Sequence, residues 1–205
     1  MCYRSRVRSR SGTDSRSSQR PLTPIPRFMK LTLSLCFSTA LFLGGAVLAQ
    51  AEISSAGTIR IKTGINSPLT DEAGIVWQAD SGFVGGETIE RSGLAIANTK
   101  TPSVYQAERY SMTAFHRPVP NGKYTVKLHF AETYEGISAP GERVFSYQVE
   151  GQDFKDFDVF KSAGGALRAY VETVVVEVRD GSLDITFTAQ VENPEINGLE
   201  IIPLP

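Results

Sequence analysis

The chain of 205 residues carries 21 basic and 22 acidic side chains, 41% hydrophobic residues and two cysteines, a globular composition and neither a disordered nor a fibrous one. Its formal charge of −1 hides an asymmetry, because residues 1–51 hold eight of the basic residues and one of the acidic ones, leaving 13 against 21 downstream and a net −8. An acidic downstream part argues against nucleic acid and anionic membrane surfaces as partners.

Residues 1–28, MCYRSRVRSRSGTDSRSSQRPLTPIPRF, form a basic, Arg- and Ser-rich extension. We read it as disordered and as an over-extended start, with Met29 the true initiator. From Met29-Lys30 the chain enters an apolar run that closes on Ala49-Gln50-Ala51. A positive start, an apolar middle and a small-x-small end predict a signal peptide over 29–51, cut before Glu52. A membrane anchor is the alternative, but the run is short for a span of about 20 residues. The expectation is therefore an exported product, periplasmic, extracellular or at the cell surface, with no membrane insertion after cleavage. Cys2 and Cys36 both leave with the leader, so the remainder has no disulfide, no thiol nucleophile and no Cys-based metal site. Residues 52–58 read as a short linker and 59–205 as one domain. A domain of that size buries roughly 68–70% of its unfolded surface, enough to fold on its core alone.

Strand patterns recur along this domain, near 59–64, 107–117, 123–132, 144–151, 170–181 and 182–191, and again in INGLEIIPL near the C-terminus. Tyr124, Val126, Leu128 and Phe130 alternate with Thr125, Lys127 and His129, the period of a half-buried strand. Leu183, Ile185 and Phe187 do the same against Asp184, Thr186 and Thr188. Pro120-Asn121-Gly122 and Asp180-Gly181 predict hairpin turns, since Asn, Asp and Gly tolerate positive φ. No window forms a convincing amphipathic helix. Many short strands separated by turns indicate an all-β sandwich or barrel, and missing crossover helices disfavour a βαβ nucleotide fold.

Catalytic signals are weak. His116 and His129 are the only histidines and lie in no metal-ligand spacing; His129, on the polar side of its strand, reads as solvent-facing or cross-strand. There is no nucleophile elbow, phosphate loop or dinucleotide fingerprint. The glycines at 84–86 and 162–165 read as loop geometry. Glu108 and Glu132 could pair as in a glycosidase, yet acidic residues are plentiful enough to pair by chance. No catalytic residue, metal or cofactor is expected.

Binding has better ingredients. Sugars offer an apolar C–H face and a fringe of hydroxyls, which proteins meet with an aromatic ring and with carboxylates or amides. Tyr105 and Tyr110 flank Glu108-Arg109, Tyr134 stands between Glu132 and Glu135, and Glu192-Asn193-Pro194 follows late. The plainer reading has the two tyrosines capping a sandwich edge and Arg109 paired with Glu108 or Glu132.

VYQAERYS at 104–111, PVPNGKYTVKLHFAETY at 118–134, RVFSYQVEGQ at 143–152 and VENPEINGLEI at 191–201 together resemble the malectin domain. This carbohydrate-binding module occurs in animal malectin, in plant receptor kinases and attached to bacterial glycosidases. TDEAGIVWQAD at 70–80 resembles its opening, so the likeness covers about 59–202. It implies a jelly-roll-like sandwich of two antiparallel sheets with a glycan pocket in the loops at one end. In animal malectin four aromatics and an aspartate hold α-linked diglucosides. Tyr110 and Tyr134 stand at two of those aromatic positions, and Glu135 replaces a third. Glu192 takes the place of the aspartate, with Asn193 beside it, and Phe83 or Tyr105 could supply the remaining aromatic. The resemblance implies a non-catalytic carbohydrate-binding protein for glucose-type di- or oligosaccharides, with a glycosidase or an envelope protein as its companion. The alternative is a cell-envelope protein-interaction module whose sugar site has decayed.

Overall fold

The computed structural model describes residues 57–205; the expected extension, signal peptide and most of the linker lie outside them. Strands built on alternating apolar residues occupy most of the described chain. In order they are β1 Ile59–Lys62, β2 Leu69–Thr70, β3 Val76–Trp77, β4 Phe83–Glu90, β5 Ala107–Pro118, β6 Gly122–Phe130, β7 Val144–Val149, β8 Gln152–Phe157, β9 Tyr170–Val178, β10 Ser182–Val191, β11 Glu195–Ile196 and β12 Gly198–Pro203. A 3-10 turn, Pro102–Tyr105, and one short helix, α1 (Val159–Ala163), complete the set. Asp158 caps α1 by accepting from the Lys161 amide, and Gly164 closes it in the left-handed region.

These strands form an antiparallel, jelly-roll-like sandwich. One sheet runs β1-β12-β6-β9. In the other, β5 is flanked by β4 on one edge and by both β10 and β11 on the other, and β10 continues to β7 and β8. Their inward faces pack Val126, Leu128, Phe130, Leu199 and Ile201 against Phe115, Phe145, Tyr147, Leu183 and Ile185. Each such side chain contributes about 1.5–3 kcal/mol on leaving water. A smaller cluster of Trp77, Ile96, Val104, Tyr105 and Ala131 lies under the long connection between β4 and β5.

The two expected hairpins are corners instead. β5 and β6 belong to different sheets, and so do β9 and β10, so Pro120-Asn121-Gly122 and Asp180-Gly181 carry the chain from one sheet to the other. The corners tie to each other: the Val119 amide donates to Gly181 O at 3.0 Å and Asn121 Nδ2 to Arg179 O at 2.9 Å. A tight hairpin does occur at Glu150-Gly151, where both residues have positive φ (49° and 75°) as a two-residue β7–β8 turn requires.

Of the two readings of His129, solvent-facing or cross-strand, the structure takes the second, with the ring bonded to Glu200 on the neighbouring β12. The segments around Trp77 and Tyr105 cover the outer face of β6 there, so its ring is buried, 2.9 Å from Tyr105 Oη through Nδ1 and 3.1 Å from Glu200 Oε1 through Nε2. Trp77 meets it edge-on at 5.2 Å.

Candidate functional site

Four connections gather at one end of the sandwich: 91–106 after β4, 131–143 after β6, 158–169 before β9 and 192–194 after β10. Among them lies a cavity of about 280 Å³. Its walls come from Ile89 and Arg91, from Glu108 and Tyr110 on β5, from Tyr134 and Arg143, and from Glu192 and Asn193.

Strand parity sets the β5 wall. Glu108 and Tyr110 are two residues apart and face the same way, while Arg109 faces the other. Tyr110 pairs across with Glu87 on β4 and donates its hydroxyl to Glu87 Oε2 at 2.8 Å, which raises the phenol's pKa. Gly86 has φ 76°, and its Cα approaches the β5 backbone so closely that a Cβ would collide with Tyr110 O and with Met112 N at 2.7 Å. The glycines at 85 and 86 therefore belong to a strand pressed against β5, not to a loop as their composition predicts.

Tyr134 projects from the loop after β6 with 46% of its surface exposed. Its amide donates to Glu132 Oε1 at 3.0 Å, and its ring lies on Gly136. A Cβ at 136 would stand 2.5 Å from Cε1, 2.7 Å from Cζ and 2.9 Å from Oη of that ring. Across the cavity, Glu192 adopts the left-handed conformation, φ 58°, at the end of β10. That conformation is unfavourable for a non-glycine residue and recurs where function requires it.

Beneath these side chains is a buried ionic layer. Glu108 pairs with Arg91 Nη1 at 3.0 Å and accepts from Thr133 Oγ1 at 2.6 Å. Glu132, fully buried, receives Arg143 Nε at 2.7 Å, and Arg143 Nη1 also donates to the Asn193 carbonyl. Burial pushes the Glu132 carboxyl upward while the Arg143 guanidinium and the Tyr134 amide hold it down. Glu195, behind them, is fully buried with neither carboxylate oxygen partnered. Burial, then repulsion from Glu108 and Glu132, drives its pKa well above the ordinary carboxylate range.

Of the residues singled out in the sequence, Glu108, Tyr110, Tyr134, Glu192 and Asn193 meet around one cavity. The others do not line it. Tyr105 is 3% exposed and spends its hydroxyl on His129 inside the smaller cluster. Phe83 packs on Phe115, ring centroids 4.8 Å apart, with the Arg109 guanidinium over its face at 5.5 Å. Glu132 is the anchor beneath Tyr134, and Glu135 lines a neighbouring cavity. Arg109 pairs with neither Glu108 nor Glu132: its Nε reaches Asp80 Oδ2 at 3.0 Å, because it points to the opposite face of β5. With Glu108 and Glu132 each held in an ion pair, they do not form a free acid–base couple.

Arg91, Arg143 and Ile89 complete the wall, though no sequence motif points to them as site residues. Arg143 had a signal, since it precedes Phe145, Tyr147 and Val149 with the same inward parity and so had to be buried with an acid beside it.

The family model for the malectin domain matches residues 58–199. Receptor-like protein 4 of Arabidopsis thaliana is 31% identical over 134 residues, which cover 62% of this chain and 21% of that protein. The rice kinesin-like protein KIN-14E is 28% identical over 129 residues, covering 58% and 12%. The chain thus spans about a fifth or less of these relatives. Among solved structures, a β-glucuronidase of Bacteroides uniformis superimposes with a TM-score of 0.66 at 18% identity, over 72% of this chain and 18% of that one. The ANXUR1 extracellular domain of Arabidopsis thaliana does so at 0.60 and 17%, over 70% and 47%. At these identities the likeness is one of fold.

Proposed function

We propose, on the premise that this chain belongs to the malectin family of carbohydrate-binding domains, that it is an exported, non-catalytic binder of glucose-type di- or oligosaccharides. The observation that carries this reading is the cavity of about 280 Å³ between Tyr110 and half-exposed Tyr134, with Glu108, Glu192 and Asn193 in its wall. Tyr134 offers a ring for the C–H face of a sugar, and the carboxylates and the amide accept its hydroxyls. Arg91 and Arg143 add donors and pair with Glu108 and Glu132.

Glu135 matters less than its replacement of an aromatic suggests, because it lies outside this cavity and Ile89 supplies an apolar surface inside it. A shallow, wet site of this kind binds in the micromolar to millimolar range, about −8 to −4 kcal/mol. The protein would act beside a glycosidase or an envelope protein rather than perform chemistry itself.

Calorimetric titration with maltose, nigerose, cellobiose and a uronic-acid disaccharide tests this. Heat from an α-diglucoside that vanishes in Tyr134→Ala supports it. Silence from all four, or binding that survives Tyr134→Ala, refutes the glucose-type site. A second reading, a protein-interaction surface, draws on the exposed Tyr134 and Leu167 in these loops and on exposed Ile89 at the end of β4. It predicts a specific partner in pull-downs and no response to sugars.

A further inference from the structure

Tyr134 and Arg91 line a second cavity as well, of about 450 Å³, so the two open side by side with the tyrosine as a shared wall. Their chemistry differs. The first is surrounded by carboxylates, guanidinium groups, an amide and phenols, with Ile89 as its one aliphatic side chain. The second is bounded by Leu94, Ile137, Phe160, Ala166 and Leu167. Of its polar members, Arg91, Glu132 and Thr133 are engaged in the ionic layer, which leaves exposed Glu135 and Ser138. A bare sugar entering it would leave hydroxyls without partners, whereas an apolar group would gain by leaving water.

Leu167 singles this wall out. It holds φ 53°, a left-handed conformation that asparagine or glycine adopts at lower cost. Its backbone is fixed there, the amide donating to Glu132 O at 2.9 Å and the carbonyl accepting from Ala97 N at 2.8 Å. The leucine side chain is nonetheless 37% exposed, so it is neither the residue that backbone prefers nor one the core requires. What it supplies is an apolar surface in the cavity.

We propose that the second cavity receives an apolar aglycone, aromatic or alkyl, attached to the sugar that occupies the first. The ligand is then a glycoside carrying an apolar substituent, with Tyr134 touching both parts. This rests on the sugar reading of the first cavity.

The test is calorimetric titration of the protein with methyl, 4-nitrophenyl and octyl α-glucosides, the last below its micelle concentration. The wild type is compared with Leu167→Asn. The expected result is that one of the two apolar glucosides binds on the order of tenfold more tightly than the methyl glucoside. Which one gains separates an aromatic from an alkyl aglycone. Leu167→Asn keeps the methyl-glucoside affinity, loses most of the gain and keeps or raises the thermal midpoint, because asparagine suits the backbone. Equal affinities for all three glucosides, or a gain that survives Leu167→Asn, overturn the proposal and leave the sugar site standing. If none of the glucosides binds, both fall.

Discussion

Gly136→Ala puts the role of Tyr134 to a direct test. Gly136 does not have positive φ, so alanine meets no backbone objection there; the three atoms nearest to its added Cβ all belong to the Tyr134 ring, at 2.5, 2.7 and 2.9 Å. Ordinary contact begins at 3.4 Å, so the ring must retreat by about 0.9 Å or more. It is free to do so, being 46% exposed with no side-chain hydrogen bond among the described residues. Stability should therefore change little, since moving an exposed ring costs under about 1 kcal/mol and alanine returns roughly 0.4–1 kcal/mol by stiffening the unfolded chain. Sugar affinity should fall, because a displaced ring gives up much of a stacking contact worth about 0.5–1.5 kcal/mol, or roughly two- to thirteenfold in Kd.

Calorimetry with an α-diglucoside measures the affinity and thermal unfolding the stability. In a Tyr134→Ala background the glycine change should have no further effect, which isolates the coupling between the two residues. An affinity within twofold of wild type, with an unchanged thermal midpoint, would refute the idea that the glycine seats the ring for binding. So would a large loss of stability, which would make Gly136 a folding residue.

Arg143→Met leaves Glu132 buried without its partner and should cost about 3–5 kcal/mol in urea unfolding, with most of it regained in Arg143→Met/Glu132→Leu; a loss below about 1 kcal/mol would mean that the pair is not what holds this end together. Glu195→Gln should be more stable than wild type at pH 7 and lose its advantage as the pH falls. The folded-state pKa of Glu195 is raised, so the unfolded chain ionises above about pH 4.3 while the folded one keeps its proton to higher pH, and wild-type stability declines as pH rises between the two. Unfolding of the two proteins between pH 3.5 and 8 would expose the error if the gap were constant. Tyr105→Phe removes a hydroxyl bonded to His129 and should cost about 1 kcal/mol with sugar affinity unchanged; a weakened affinity would return Tyr105 to the site.

Why some of this was readable and some was not follows from which forces act locally. β5, β6, β7, β9, β10 and β12 could be read because each carries its own period of two. β4 hid, since FVGGETIE interrupts that period with glycines whose purpose, close approach to β5, exists only once β5 is beside it. The corners at 119–121 and 179–181 were mistaken for hairpins for a similar reason. Turn chemistry dictates that the chain reverses, but which sheet it enters depends on where the next apolar face finds cover. The candidate site divides the same way. Tyr110, Tyr134, Glu192 and Asn193 could be picked by type and motif, whereas Tyr105 and Phe83, identical in kind, are withdrawn by packing that no short stretch encodes.

Strand parity encodes the layer beneath the loops as well. Glu132 continues the inward series Tyr124, Val126, Leu128, Phe130, and Arg143 begins the inward series Phe145, Tyr147, Val149. A charge on a core face must find its opposite, and these two lie at the same end of the sandwich, where β6 leaves and β7 enters. The two parities predict a buried ion pair under the loops at that end, and with it the floor on which Tyr134 and the Asn193 carbonyl are held. Glu132, the first carboxylate of LHFAETYEG at 128–136, is thus better read as the foundation of Tyr134 than as its partner on a ligand.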